Sequence, residues 1–160
     1  MADVDYTYDS IDDASIGYNG TSNYSTGSGA TGWIWYRNHG ATTHRSYVAQ
    51  RYQIPDSITI ADINAATVTV EASSATQTFY GVLSVVEDVN DALSSSSPNR
   101  PSDIYSTANG SIDWDATAVY AAGDSIASGD FTTALKAALN AGTATGGYYN
   151  IAVVWLGDNT

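Results

Sequence analysis

With 160 residues, 43% of them hydrophobic, the chain is long enough to bury one core, and because it has no cysteine its stability cannot come from disulfides or thiolate metal sites. The formal net charge of −12, from 17 acidic residues against five Lys and Arg, opposes binding to nucleic-acid phosphate and to anionic membrane surfaces. Nearly all of the acids are aspartate, which with Gly, Ser, Thr and Asn favours turns over helices. The composition therefore predicts an all-β chain with many loops.

The first ten residues predict an extended arm. Val4, Tyr6 and Tyr8 alternate with polar residues, which is the period of a strand or an extended arm. We therefore assign residues 1–10 to an N-terminal extended arm or edge strand that serves assembly, and residues 11–160 to a single β-sandwich domain. No basic segment followed by an apolar run opens the sequence, so a secretory signal is not expected.

A polar loop and a hairpin are predicted next. A short strand is expected at residues 14–17, and the stretch 18–32, rich in Gly, Ser and Thr, is expected to be a surface loop. Residues 33–37 alternate as a strand, residues 39–43 contain the turn, and residues 45–52 form the returning strand.

Two more strands are predicted beyond Pro55, which has no amide proton for a sheet ladder and so ends the strand before it. Apolar and polar residues alternate from 65 to 72, the pattern of a strand with one buried face. Residues 78–87 carry bulky side chains on both faces, which predicts a central strand that is covered on both sides.

The region after residue 87 is predicted to begin with a long polar loop. It spans residues 88–112, with a helical turn at 89–93, and a short strand with Trp114 follows at 111–115. The apolar run 148–156 predicts a central strand near the C-terminus.

One helix is predicted, at residues 130–141, where Phe131, Leu135, Ala138 and Leu139 recur at helical spacing. Asp130 is the expected cap, and Gly142 is expected to end the helix in the left-handed conformation. Together these elements predict an all-β fold: a two-sheet antiparallel β-sandwich of jelly-roll type with one short helix near the C-terminus.

The polar residues do not form a catalytic motif. His39 and His44 flank a turn without a glutamate at metalloprotease spacing, and the run from Ser94 to Ser97 lacks the glycines of a nucleophile elbow. Adjacent acids do not by themselves supply two carboxylates facing one cleft, as a glycosidase needs. We therefore expect a protein that is not an enzyme.

Acidic and aromatic residues supply two candidate binding sites. Asp12, Asp13 and Asp158 are expected to cap turns or to belong to a solvated acidic face; the alternative is that they bind calcium, which takes carboxylate ligands. No other cofactor is expected. The aromatic strand is a candidate subunit interface or core, or alternatively a platform on which sugar rings stack, through Trp33, Trp35 and Tyr36.

The order of several short motifs resembles that of DNRLRE-type β-sandwich domains. They are Asp13-x-x-Ile16, Asn23-Tyr24-Ser25, Arg45-Ser46-Tyr47, Ile54-Pro55, Arg100-Pro101, Ile112-Asp113-Trp114, Tyr120-Ala121-Ala122-Gly123-Asp124 and Ser128-x-Asp130-Phe131. The resemblance implies a non-catalytic module of phage structural or bacterial surface proteins, related in shape to jelly-roll carbohydrate-binding modules. The Phe-Asp pair usual in that family is Tyr52-Gln53 here, so any role of that aspartate is not carried over.

Two functions are consistent with these observations. The first is a structural protein on the surface of a bacteriophage virion, either a capsid decoration such as a cement protein or head fibre, or a tail-associated module. Its partners would be copies of itself, in a trimer, and other virion proteins such as the major capsid protein. The alternative is a carbohydrate-binding or adhesin module that binds host surface glycans from a virion, from the extracellular space or from a bacterial surface.

Overall fold

A computed structural model describes eight segments of the chain: residues 11–18, 23–27, 36–39, 42–72, 81–94, 97–105, 107–114 and 119–157. Within them the chain is mostly strands in two antiparallel sheets, which confirms the predicted all-β character. The strands are β1 (Asp12–Tyr18), β2 (Asn23–Gly27), β3 (Tyr36–His39), β4 (Thr42–Pro55), β5 (Thr69–Glu71), β6 (Gly81–Val86), β7 (Gly110–Asp113), β8 (Ser125–Ala127) and β9 (Tyr148–Gly157). The helices are α1 (Pro101–Tyr105) and α2 (Thr132–Ala141), with a 3-10 turn at Ile60–Asp62.

The larger sheet has the strand order β2-β1-β4-β9-β6-β7, and β3 pairs with the first residues of β4. The predicted C-terminal strand is confirmed as a central one, because β9 lies between β4 and β6. The strand predicted at 78–87 is also confirmed in its described part, as β6 between β9 and β7. The strands β5 and β8 form a separate two-stranded sheet.

The register of β4 shows that a hairpin extends beyond the rest of the sheet. Arg45 pairs with Tyr18 of β1 on one edge and with Tyr36 of β3 on the other. The strand β9 occupies that second edge only from Tyr47 onwards, and among the described strands Thr42–His44 pair with β3 alone. We call residues 36–45 the hairpin. The sequence predicted this hairpin, with its first strand displaced towards residues 33–35, which lie outside the described segments.

Both faces of the large sheet are covered around its central strands β4, β9 and β6, where side chains are described. On one face, residues such as Leu83, Val85 and Trp155 form a core with α2 and the small sheet. On the other face, Val86, Ala152 and Val154 pack against α1 and the segment that follows β6. Since successive strand residues point to opposite faces, the continuous apolar runs of β6 and β9 require this double cover. The predicted burial of both faces of β6 is therefore confirmed.

The predicted helix is confirmed as α2, but its C-terminal end differs from the expected one. Phe131 and Leu135 are buried, as are Ala138 and Leu139. Gly142 has φ −77° and ψ 165°, so the left-handed conformation expected there is wrong. A Cβ on Gly142 would lie 3.1 Å from both the Ala138 carbonyl oxygen and the Glu87 Cβ. Close approach of the helix end to the segment after β6, rather than backbone handedness, accounts for the glycine.

The half-buried strand predicted at 65–72 is shorter than expected, although its alternation is confirmed. Burial alternates from residue 66 to residue 72, but only Thr69–Glu71 form the regular strand β5. Two side chains replace backbone partners before it: the Val68 N–H donates to Ser128 Oγ at 3.0 Å, and the Ala66 N–H donates to Asp130 Oδ1 at 3.1 Å. Side-chain acceptors thus bind the N–H groups of Val68 and Ala66, while the carbonyls of these residues still accept backbone hydrogen bonds from the Ser128 and Phe131 N–H groups.

Asp130 lies one position before the N-cap of α2, Phe131, and still caps the helix by accepting a hydrogen bond from the Thr132 N–H at 3.0 Å. Hydrogen bonds from the Thr132 hydroxyl, and then from the backbone of Ala66 and Thr132, hold the pKa of Asp130 below its ordinary value. A lowered pKa means that folding favours the charged form. This contribution to stability is complete above the ordinary pKa of about 4 and is lost as the pH falls through the lower, folded-state value.

We therefore expect the stability difference between the wild type and Asp130→Asn to shrink as the pH is lowered from about 6 to about 2.5, because asparagine does not titrate. Urea midpoints at each pH measure this difference. Ser128→Ala is the matched control, since it removes the neighbouring side-chain acceptor without removing a charge, and its difference from the wild type should not vary with pH. A constant difference for Asp130→Asn would show that the charge is not involved.

Two further sequence predictions are wrong, and one helix was not predicted. The stretch 18–32, expected to be a loop, contains β2, which pairs with β1 through its backbone and needs little apolar surface at the sheet edge. The helical turn expected at 89–93 is absent there, because the Val89 N–H donates to the Asn150 carbonyl and so continues the pairing with β9. The unpredicted helix is α1, which begins with Pro101, a residue favoured at the first helical position.

Candidate functional site

A small polar cavity lies at the end of the sheet where β6 ends and β9 begins. Its volume is about 280 Å³, and its apolar lining comes from Val86, Val89 and Ile104. The polar lining consists of Glu87, Asp88, Asn90, Asp91, Asn99 and Thr107. We call this cavity the notch. It is near the lower limit of the size of a small-molecule site and could hold one sugar ring or the end of one side chain.

The wall of the notch is shaped by Asp88, which has a φ of +54°. Aspartate is one of the few residues with a side chain that tolerates the left-handed region, because its short polar side chain can hydrogen-bond locally. Its Oδ1 accepts a hydrogen bond from the Thr143 N–H at 2.8 Å, and its carbonyl accepts one from the Asn90 N–H at 2.9 Å. The chain after β6 is therefore turned sharply and tied to the loop after α2.

A chain of amide side chains, centred on the buried Asn150, connects the notch to the sheet. Asn150 of β9 is 6% exposed, and its Nδ2 donates to Asn90 Oδ1 at 2.8 Å. Gln53 Nε2 of β4 donates to Asn150 Oδ1 at 3.1 Å, and Arg51 Nη1 donates to the Asn90 carbonyl at 3.1 Å. The neighbouring strands β4 and β9 therefore both hold Asn90 in the wall of the notch, β4 through the carbonyl of Asn90 and β9 through its side chain.

The notch offers mainly hydrogen-bond acceptors to a ligand. Glu87, Asp88 and Asp91 contribute carboxylates, and Glu87 Oε2 is buried without a hydrogen-bond partner among the described residues. A buried acceptor without a partner is costly unless something donates to it. Groups rich in donors, such as sugar hydroxyls or a guanidinium, suit this lining best.

Asp88→Ala is expected to lower the free energy of unfolding by about 1–2 kcal/mol, because it removes the bond from Thr143 and leaves a residue less tolerant of the left-handed region. Asp88→Asn keeps a side-chain oxygen that can accept the hydrogen bond from Thr143, and asparagine also tolerates the left-handed region. Its free energy of unfolding should therefore stay within about 0.5 kcal/mol of the wild-type value. Asp88→Gly tolerates the positive φ but loses the hydrogen bond from the Thr143 N–H. It therefore separates the contribution of the backbone conformation from that of the hydrogen bond. Urea unfolding measures all three; equal values for the Ala and Asn variants would contradict this account of the turn.

The residues predicted from the sequence as site residues are only partly within the described segments. Asp12 and Asp13 lie in β1, where they pair with Arg51 and Gln50, and Tyr36 opens β3 opposite Arg45. Nothing is described of these three side chains or of the other candidates, Val4, Tyr6, Tyr8, Trp33, Trp35 and Asp158. In the described part of the chain no three His, Asp or Glu residues are grouped so that they could hold a metal ion. The calcium site, the arm and the aromatic interface therefore remain predictions.

Sequence reasoning missed the notch and its amide network. A signal for it does exist, because Asn150 interrupts the apolar run of β9 and a polar residue inside such a run needs partners. The identity of those partners, Asn90 and Gln53, depends on strand pairing across more than 50 residues of sequence and carries no local pattern.

Comparison with known proteins identifies no relative: no protein-family model, no curated protein and no solved structure matches the chain. The resemblance to DNRLRE-type domains therefore depends on the residue pattern alone. Among the described residues, neither α1 nor α2 is long and apolar enough to cross a membrane.

Proposed function

We propose that this chain is a non-enzymatic structural protein of a bacteriophage virion, a capsid decoration (cement or head fibre) or a tail-associated module on the virion surface, acting through protein–protein contacts. Its partners are copies of itself, in a trimer, and other virion proteins such as the major capsid protein. Its fold is a β-sandwich of jelly-roll type, with residues 1–10 as the assembly arm.

The distribution of open strand edges is the observation that supports this function. Both faces of the central strands β4, β9 and β6 are covered over their described side chains, so the proposed partner meets the sheet at its open edges. Among the described strands, β2 has a neighbour only on its β1 side, and Thr42–His44 have a neighbour only on their β3 side. Backbone N–H and C=O groups on such edges can pair with another chain. On a particle, many copies multiply contacts that are individually weak.

Sedimentation velocity over a wide concentration range, together with analysis of particles from the native source, tests the proposal. We expect a trimer and recovery of the chain with the particles. Ser25→Glu, which places a charge on the edge strand β2, should weaken self-association, while Thr133→Glu, an equal charge on an exposed position of α2, should not. A monomer at every concentration together with absence from particles would contradict the proposal.

The notch supports the second candidate, a carbohydrate-binding or adhesin module. Carboxylates, amides and a hydroxyl over an apolar floor suit the hydroxyls and the ring of one sugar unit. Titration calorimetry with a panel of glycans would detect such binding, and Asn99→Ala in the notch should abolish it. Asn140→Ala, at an exposed position of α2, is the matched control. Glycan arrays without a signal would exclude this candidate.

A further inference from the structure

The hairpin holds much of the positive charge of an otherwise acidic chain. The sequence contains no Asp or Glu from residue 14 to residue 55, so all 17 acids lie outside that stretch. The hairpin carries both histidines and two of the five Arg and Lys residues: Arg37, His39, His44 and Arg45. Arg37 and His44 are direct cross-strand partners. One projecting element thus differs in charge from most of the remaining sequence.

The opposite end of the sheet is acidic. β4 runs for 14 residues from the hairpin to Pro55, and at about 3.3 Å per residue its ends are about 43 Å apart. Asp56 follows Pro55 and donates its N–H to the Gly147 carbonyl at 3.0 Å, and the carboxylates of Asp88 and Asp91 line the notch near the same end. This separation is several times the screening length of about 8–10 Å in physiological salt. Each end therefore interacts with its surroundings independently of the other.

We propose that the hairpin is the surface on which a second copy of this chain docks, with the Arg and His residues of one copy meeting acidic surface of the next. This inference rests on the proposed function, because it specifies where self-association occurs. Charge complementarity favours this occupant, because a second copy carries all 17 of its acidic residues outside residues 14–55, the stretch that contains the hairpin. A positive end that meets a negative surface elsewhere on the next copy is a head-to-tail contact, which closes into a ring when the rotation allows, and a ring of three is a trimer.

Two kinds of interaction contribute to such a contact. Arginine with a carboxylate forms charge-assisted hydrogen bonds, which are stronger than neutral ones. The backbone edge of Thr42–His44, unpaired on one side among the described strands, can add strand-like hydrogen bonds. A contact formed by attraction between opposite charges weakens as the salt concentration rises.

Sedimentation velocity of the full chain in about 50 mM and about 500 mM NaCl tests the docking surface. Arg37→Glu is expected to weaken self-association more than about tenfold at low salt, while Lys136→Glu, the same charge reversal on α2, changes it less than about threefold. His44→Glu is the second variant. It places opposite charges directly across the hairpin, which favours hairpin pairing, and it lowers the net charge of the hairpin. It should therefore fold like the wild type and still associate poorly.

The outcomes separate this inference from the function on which it rests. If Arg37→Glu and His44→Glu associate like the wild type and keep its salt dependence, the hairpin is not the docking surface, although the chain self-associates. If only Ser25→Glu weakens association, the copies meet at β2 and the inference is wrong. A wild type that stays monomeric at both salt concentrations and is absent from particles overturns the inference and the proposed function together.

Discussion

Trp155→Ala is expected to lower the free energy of unfolding by about 3–5 kcal/mol. Trp155 is 2% exposed, and it lies in the middle of the large sheet, paired with Val48 of β4 and Leu83 of β6. Its ring centroid is 5.5 Å from that of Trp114. Removing the indole leaves a cavity that strands paired on both sides cannot close. Since domains of this size are stable by about 5–15 kcal/mol, much of the total stability is lost.

Urea unfolding followed by far-ultraviolet circular dichroism measures this loss without depending on the deleted fluorophore. Trp155→Phe is the control, because it keeps an aromatic ring and removes the Nε1–H, which is buried without a hydrogen-bond partner among the described residues. We expect the Phe variant to lose about 1–1.5 kcal/mol, well below the Ala variant. Similar losses for the two variants would show that ring packing is not what the position requires.

Gly110→Ala is expected to cost about 1–3 kcal/mol, the second largest effect. Gly110 begins β7 where α2 crosses the sheet, and a Cβ at this position would lie 3.0 Å from the Ala134 Cβ and 3.1 Å from its Cα. The helix would have to move away from the sheet by a few tenths of an ångström. Because the core residues of α2 are buried against the same face, that movement loosens several contacts at once.

The same urea experiment has a matched control in Gly129→Ala, whose Cβ would lie 3.5 Å from Ile112 Cδ1, an ordinary contact. That variant should be neutral or more stable by up to about 1 kcal/mol, because alanine restricts the unfolded chain. The double variant Gly110→Ala with Ala134→Gly should recover part of the packing loss. Equal effects of the two glycine substitutions would argue against close helix–sheet contact at Gly110.

The elements that the sequence predicts well are those with a local period. β6, β9 and α2 each carry a run of apolar residues at strand or helix spacing, so their type and approximate bounds follow from the chain itself. The Gly146-Gly147 pair is a further local signal, because both glycines have positive φ and form a two-residue turn between Thr145 and Tyr148.

The features that the sequence does not predict depend on contacts between distant residues. The strand β2 contains too few apolar residues to be recognised and exists through its pairing with β1. The segment after β6 does not form a helix, because the Val89 N–H donates to the Asn150 carbonyl and Asp88 Oδ1 accepts a hydrogen bond from the Thr143 N–H. The notch is a product of the same contacts. The charge asymmetry of the hairpin can therefore be predicted from the sequence, whereas the notch can be located only once the fold is known.

The position of β9 constrains how the chain can be made. β4 and β6 are not neighbours in the sheet; each pairs with β9, at residues 148–157, and the β4 partner Tyr47 lies more than 100 residues before Leu156. Until residues 148–157 have left the ribosome, both strands expose an unpaired edge and apolar side chains. The pairing of β4 and β6 with β9 therefore forms only after residues 148–157 have been synthesised, and we expect it to be slow, because contacts between distant residues require the closure of long loops.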